Sequence, residues 1–348
     1  MTLKIVNSDD PEWAFNYEQL NKSQHDVFFH PGFAQTCQNS LYKRHLVKCA
    51  IWNCKKGTIL YPFVQRNFLK SSCVDITGLY GRGGIAQDVD DNDELNAFHA
   101  AFRKYCLEVG VICSFDRFHP KLKNHLSVDK SSKLYNIGDF VVLNLKESID
   151  QIESQYKHNH RKSIKKAERK NVTFFYEENL NHIDDFLTIY KRTLKRNNAN
   201  NFYYFEAKFF QEIKKNLSDK FVFYYAVVDN KIISCELVLL DILYAHSFLG
   251  GTLIDFMPYG ANVFLKREII RDLKKRNVLY YLLGGGVNKN DGIYKYKLCF
   301  APSGSHTSYI GGVIYDEKPY NDLKKYMDSQ NISYDSNRIQ FYDYLVDF

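Results

Sequence analysis

No C-x-x-C pair occurs in this chain, although it contains eight cysteines, and none of them stands with histidine at zinc-binding spacing. The sequence therefore offers no metal site. Cys37, Cys49, Cys54, Cys73, Cys106, Cys113, Cys235 and Cys299 lie mostly in apolar runs, as in Val111-Ile112-Cys113 and Ile233-Ser234-Cys235. That placement reads as free buried thiols in a reducing compartment. Long apolar runs are also missing. Phe221 to Val228, among the longest, is strand length and far short of a membrane span. The opening Met1-Thr2-Leu3-Lys4-Ile5 lacks the apolar core of a signal peptide, so the expected location is cytoplasmic. There is no G-x-S-x-G elbow and no local Cys/His pairing that would mark a covalent nucleophile. No fixed-period repeat or low-complexity tract stands out. Charge is not extreme either: 47 Lys and Arg against 40 Asp and Glu leave +7. This excess would steer phosphate-bearing partners toward the chain without amounting to a nucleic-acid footprint.

What the chain does have is length and rings. Its 348 residues suit two domains of ordinary size. With 26 Tyr and 26 Phe it favours β-rich cores and ring-lined clefts, although AT-rich coding produces the same bias. Residues 11–45 read as helical. Strand-like runs follow at Leu46–Trp52 and Thr58–Val64, joined by a turn at 54–57. A glycine-dense loop covers Gly78–Gly84. Residues 92–109 place Leu95, Phe98, Phe102, Tyr105 and Cys106 on one helical face, and Val109–Phe115 reads as a strand.

A second unit opens near Lys146. Glu147–Lys170 reads as a helix with a basic second half, and Asn181–Lys195 as another helix. Phe221–Val228 and Lys231–Leu240 flank Asp229-Asn230, a dipeptide suited to a tight hairpin. Ile242–Leu249 continues the meander, Ala261–Lys275 is helical, and Val278–Leu283 is a strand ending in Gly284-Gly285-Gly286. The order is helix, helix, three antiparallel strands, helix, strand.

Four segments carry a resemblance. They are Val74-Asp-Ile-Thr-Gly-Leu-Tyr-Gly-Arg-Gly-Gly84, then Phe115-Asp-Arg-Phe-His-Pro120, then the stretch from Arg161 to Val172 with Tyr190-Lys-Arg-Thr193-Leu-Lys-Arg196, and last Leu282-Leu-Gly-Gly-Gly286 with Tyr296-Lys297-Leu-Cys-Phe300. In this order they resemble the Fem family of aminoacyltransferases and their relatives from polysaccharide clusters. Leu79 departs from the family's proline, and Arg82 from its aromatic residue. The resemblance implies an α/β chain of two tandem GNAT-like domains with mixed, mostly antiparallel sheets. The first would be 1–146 with 315–348, and the second, 147–314, would carry the active site.

Acyl transfer to an amine needs a neutral amine, a carbonyl held in line and stabilisation of the developing oxyanion. Lys297 matches the family lysine implicated in that stabilisation; by local sequence it also reads as a solvated lysine beside Lys295. Arg196 matches an arginine that helps bind the acceptor, and its guanidinium suits a phosphate or carboxylate. It also fits a plain basic helix end. Tyr80 and Arg82 in the glycine loop, Arg117 and His119 after the strand, and Tyr203 and Tyr296 are further substrate-contact candidates. For Arg117 and His119, packing between domains is the rival reading. His246 and Glu236 are the candidate bases; His246 also reads as a core histidine, and a buried Glu236 would need a partner or a raised pKa.

An acyl-CoA enzyme of the GNAT class usually carries R/Q-x-x-G-x-G/A before its central helix, where backbone N–H groups hold the pyrophosphate. Met257-Pro-Tyr-Gly260-Ala-Asn262 keeps one glycine and a helix start, with Gly260 and Asn262 as the candidate contacts. The expected donor is therefore aminoacyl-tRNA, with acyl-CoA as the alternative and no permanently bound cofactor. The expected acceptor is an amine of an anionic cell-envelope precursor, nucleotide- or lipid-linked. tRNA and a peripheral membrane contact are possible partners. An acyl-CoA-dependent N-acyltransferase acting on a nucleotide-linked amino sugar, or a non-catalytic glycan- or peptide-binding module, are the other readings.

Overall fold

The computed structural model describes residues 2–68, 73–286, 288, 290–335 and 338–340. From the N-terminus come β1 (Lys4–Asn7), α1 (Pro11–Gln19), α2 (Pro31–Ser40), β2 (Leu46–Cys54), β3 (Gly57–Asn67), β4 (Val74–Thr77), β5 (Ala86–Gln87), α3 (Asn92–Glu108), β6 (Val111–Arg117) and β7 (Lys133–Asn144). There follow α4 (Ile149–Ser154), α5 (His158–Arg169), β8 (Thr173–Glu177), α6 (Ile183–Arg196), α7 (Ala207–Leu217), β9 (Phe221–Val228), β10 (Lys231–Leu240) and β11 (Tyr244–Thr252). The last elements are α8 (Ala261–Lys275), β12 (Tyr280–Gly285), α9 (Gly292–Leu298), β13 (Ser305–Gly312) and α10 (Glu317–Ser329).

Two stretches read as single helices are each broken, for local reasons. Within 11–45, the Asp26 carboxylate accepts the Phe28 N–H, His30 Nδ1 accepts the Gly32 N–H, and Pro31 occupies the first position of α2. Within 147–170, Lys157 is extended and gives its N–H to the Cys299 carbonyl, so α4 and α5 cannot join. β8 was not foreseen, because Thr-Phe-Phe-Tyr-Glu carries no alternation.

The described chain divides into two units, Met1–Ile137 with Ser308–Phe348, and Gly138–Thr307. In the first, the strand order is β1-β2-β3-β4-β6-β13, with β5 on β3. In the second it is β8-β9-β10-β11-β12-β7. Each unit contains the same path: an edge strand, two helices, a three-strand antiparallel meander, a crossover helix, and a fourth strand lying parallel to the third. This is the tandem GNAT-like α/β architecture. Asp229 and Asn230 both adopt positive φ, as the two-residue turn between β9 and β10 requires.

Each crossover helix packs an apolar stripe on the sheet, and α8 is buried on most of its other faces as well. On α3 the stripe is Phe98, Phe102 and Cys106, packed against Ile59, Phe63, Ile76 and Val111. On α8 it is Ala261, Leu265, Ile269 and Leu273, packed against Val238, Ala245 and Tyr281. Burial of each such large side chain contributes roughly 1.5–3 kcal/mol, which fixes the crossover helix over the parallel strand pair.

Candidate active site

In the second unit the parallel pairing of β11 and β12 covers Tyr244 with Tyr280, Ala245 with Tyr281 and His246 with Leu282. Both strands then continue, β11 to Thr252 and β12 to Gly285, without pairing to each other. The strands splay into a wedge, and a splayed pair leaves backbone groups facing a gap into which an extended ligand can pair.

A cationic side chain lies on each strand at the open end of this wedge. Arg196, the last residue of α6, donates from Nη1 to the Thr252 carbonyl at 3.0 Å. α6 fits closely there, because a Cβ at Gly251 would stand 2.3 Å from Thr193 Oγ1. On the other strand, Lys297 Nζ donates to the Gly285 carbonyl at 2.7 Å. Gly284 sits at φ +98°, and a Cβ there would lie 2.6 Å from that ammonium. The triple glycine thus lets the lysine lie against the strand. α9, which carries Lys297, is capped by Asp291, whose carboxylate accepts the Tyr294 N–H. It is also pinned from α5: His160 Nε2–H donates to the Tyr296 carbonyl at 3.0 Å. Burial pushes the His160 pKa down to about 4, so the imidazole is neutral and can serve as that donor.

At the apex of the wedge lies a polar cluster. Lys266 Nζ reaches both Glu236 oxygens at 2.5 Å, Ser247 Oγ at 2.8 Å and Tyr281 Oη at 3.2 Å. The Tyr281 hydroxyl also donates to Glu236. Burial lowers the Lys266 pKa, and the Glu236 carboxylate opposes that shift. Burial, with the charge of Glu236 beside it, raises Tyr281 well above its ordinary value. The cluster ties β10, β11, β12 and α8 together at the point where the strands part. Glu236 thus has the partner that its apolar strand demanded. His246 is buried at the last position of β11 that pairs with β12. Successive residues of a strand face opposite ways, so His246 faces away from Ser247 and the Lys266 cluster. The two candidate bases therefore sit on different faces of the sheet.

Tyr296 packs its ring on His160 and Phe300 at 5.0 and 5.6 Å, and burial raises its pKa. Tyr203 is 41 % exposed, and its carbonyl accepts the Tyr190 hydroxyl. A groove of about 750 Å³ is lined by Thr188, Arg192, Lys231 and Leu253, among others. It runs beside α6, one helical turn before Arg196.

The phosphate-loop equivalent packs against α5. Gly260 stands at φ +74°, and a Cβ there would lie 2.7 Å from the Ser163 carbonyl oxygen of α5. Asn262 is half-buried in the first turn of α8.

In the first unit the corresponding parallel pair, β4 and β6, does not open. The Gly78 and Gly83 N–H groups bond to the carbonyls of Phe115 and Arg117, so the glycine loop continues along β6. Asp116 fills the turn: Oδ2 accepts the Tyr61 hydroxyl at 2.7 Å and Oδ1 accepts the Gly84 N–H at 2.9 Å. A Cβ at Gly83 would stand 2.5 Å from that same Oδ1. Burial pushes the Asp116 pKa up to about 6. Tyr80 is half-buried on this loop. For Arg82, burial first and the neighbouring Arg117 second lower the pKa to about 10. Arg117 itself is exposed. His119 is fully buried, with Nδ1 accepting the Lys121 and Leu122 N–H groups and Nε2 lying 3.2 Å from Asp26.

Lys266, Tyr281, His160 and Asp116 escaped the sequence reading. Only Lys266 had a signal: a glutamate in an apolar strand calls for a buried cation.

Residues 154–298 match the family model described as "Acetyltransferase (GNAT) domain". No curated protein sequence matches the chain. Among solved structures, FemX is similar over 93 % of this chain and 100 % of its own, with TM-score 0.72 and 10 % identity. L-PGS from Bacillus licheniformis is similar over 94 % and 98 %, with TM-score 0.57 and 11 % identity. A tandem GNAT protein from the clavulanic acid biosynthesis pathway is similar over 90 % and 99 %, with TM-score 0.50 and 8 % identity. The chain carries an acyltransferase domain of the GNAT type and has the tandem GNAT fold.

Proposed function

We propose that the second unit transfers an aminoacyl group from aminoacyl-tRNA to an amine of an anionic cell-envelope precursor, at the wedge between β11 and β12. The observation that carries the reading is Lys297, whose ammonium is held on the Gly285 carbonyl at the open end of the wedge. The acceptor amine attacks the donor carbonyl carbon, the C–N bond forms, and the ester bond to the ribose oxygen breaks. The leaving oxygen departs with a proton that the amine has lost. Negative charge builds on the carbonyl oxygen during the attack, and a fixed cation beside it stabilises the transition state more than the ground state. Arg196 holds the acceptor's phosphate or carboxylate, and the groove past Arg192 and Lys231 receives its extension. The first unit, its strand pair closed by the glycine loop, does not catalyse, and Tyr80 and Arg82 are its candidate substrate contacts.

Aminoacyl-tRNA is favoured over acyl-CoA by the loop Met257–Asn262, which keeps only one glycine of the pyrophosphate-binding pattern and has neither its basic or Gln lead nor its final small residue. The match to an acetyltransferase family model supports the second reading, an acyl-CoA donor. Mass spectrometry of nucleotide-linked and lipid-linked envelope precursors, incubated with the protein and either charged tRNA or acetyl-CoA, separates the two. An amino-acid mass increment from charged tRNA is expected. An acetyl increment, or stoichiometric acetyl-CoA binding by calorimetry, replaces the donor.

A further inference from the structure

The solvent side of α5 carries an unspent charge pattern. Lys162, Lys166, Arg169 and Lys170 follow at i, i+4, i+7 and i+8, which places them on one face of the helix. All are exposed, whereas His160, Ile164 and Ala167 face the core. Glu168, the helix's acid, is turned to Arg267. Beside this face lies the 3-10 turn Ile254–Tyr259, reached through the close contact of Gly260 with Ser163.

In a 3-10 turn, residues three apart eclipse one another. Phe256 and Tyr259 form one such pair, with ring centroids 5.3 Å apart, packed partly against the core. Lys170 lies 5.6 Å over the Tyr259 ring, and Lys231 lies 5.0 Å over the Phe256 ring. Ile254 and Met257 form the other pair, and they point out, 60 % and 49 % exposed. Two aliphatic side chains therefore project from a turn whose ring pair lies under Lys170 and Lys231, beside the basic face of α5, with Asp255 and Asp229 as the acids of the adjoining segments.

We propose that this surface, α5 with the turn Ile254–Met257, docks on an anionic lipid bilayer. The cations meet the headgroup charge, and the aliphatic pair enters the boundary of the acyl chains. Cations alone would fit a phosphodiester chain equally well. The exposed aliphatic pair decides for lipid, because Ile254 and Met257 gain by leaving water for hydrocarbon and gain nothing from an RNA backbone. The inference is independent of the donor and acceptor proposed above.

The test is co-flotation of the full chain with vesicles of phosphatidylcholine, with and without phosphatidylglycerol, beside filter binding of bulk tRNA. The wild type should bind the phosphatidylglycerol vesicles selectively and lose them as salt rises. The variant Lys162→Gln/Lys166→Gln/Arg169→Gln should bind them on the order of 10²-fold more weakly, at roughly fivefold, or about 1 kcal/mol, per cation. Ile254→Ser/Met257→Ser should bind on the order of tenfold more weakly with its charge intact. Every substituted residue is exposed, and unchanged melting curves check the fold. Failure to prefer phosphatidylglycerol overturns the proposal. So does vesicle binding that ignores the Ile254 and Met257 changes. Loss of tRNA binding in the glutamine variant, with vesicle binding unchanged, assigns the surface to RNA instead.

Discussion

Asp116→Asn should stabilise the first unit, and the gain should depend on pH in a sense opposite to that of most carboxylates. Burial raises the Asp116 carboxyl from 3.8 to about 6. The folded state therefore holds this proton up to about pH 6, while the unfolded chain releases it near its ordinary value. As pH rises through that window the unfolded state binds fewer protons, so stability falls. The cost is absent well below the unfolded value and complete above about pH 6, where a shift of about two units amounts to about 3 kcal/mol. Between pH 5 and 7.5 the change is roughly 1.4 kcal/mol. Asparagine keeps the shape and cannot ionise. Its oxygen accepts the Gly84 N–H, and its amide donates to the Tyr61 oxygen once that hydroxyl rotates. Both tryptophans of the chain, Trp13 and Trp52, lie in the first unit, so tryptophan fluorescence follows its unfolding. Urea titrations of wild type and variant across pH 5 to 7.5 give the difference directly, and other titrating groups cancel in it. The variant's advantage should widen as pH rises. A difference that stays flat across that range refutes the reasoning, because the carboxylate would then be as well solvated folded as unfolded.

Lys297→Met keeps the length of the side chain and removes its charge. Its kcat should fall on the order of 10²–10³ with near-normal acceptor binding, measured by steady-state kinetics on the identified substrates. Wild-type turnover would remove the oxyanion role. Arg196→Ala should raise the acceptor KM strongly, since an arginine–phosphate contact is charge-assisted; an unchanged KM takes Arg196 out of the site. Lys266→Met leaves the Glu236 carboxylate buried without its cation and should cost about 3–5 kcal/mol in denaturant unfolding, most of it recovered when Glu236→Gln is added. Additive losses in that pair would mean the two side chains do not sense each other.

The order of elements was legible wherever a periodic apolar face meets a turn signal. α3 and α8 bury the stripes their spacing predicts, and Asp229-Asn230 makes the hairpin its dipeptide favours. Breaks inside helices were hidden, because Lys157 stops a helix only by giving its N–H to Cys299, a residue far along the chain. Lys266 was hidden for a related reason. Beside charged Arg267 and Arg271 it reads as solvent-facing, and only Glu236, thirty residues away on another element, shows that it is buried.

The two glycine-rich segments show why the site itself was only half legible. Gly78–Gly84 and Gly284–Gly286 look alike in sequence; the first follows β4 and the second ends β12, each a strand of the parallel pair in its own unit. What differs is the side chain that each glycine makes room for. At Gly83 it is Asp116, an anion committed to a tyrosine hydroxyl and a backbone N–H, and its loop runs on along β6 so that the strands stay closed. At Gly284 it is Lys297, a cation resting on a carbonyl, and β11 and β12 part just before it. A buried anion beside a closed strand pair offers nothing to an oxyanion. A cation at the end of an open pair attracts one. The glycines mark where backbone and side chain approach closely, and on the proposed mechanism the sign of the approaching charge assigns acyl transfer to the second unit.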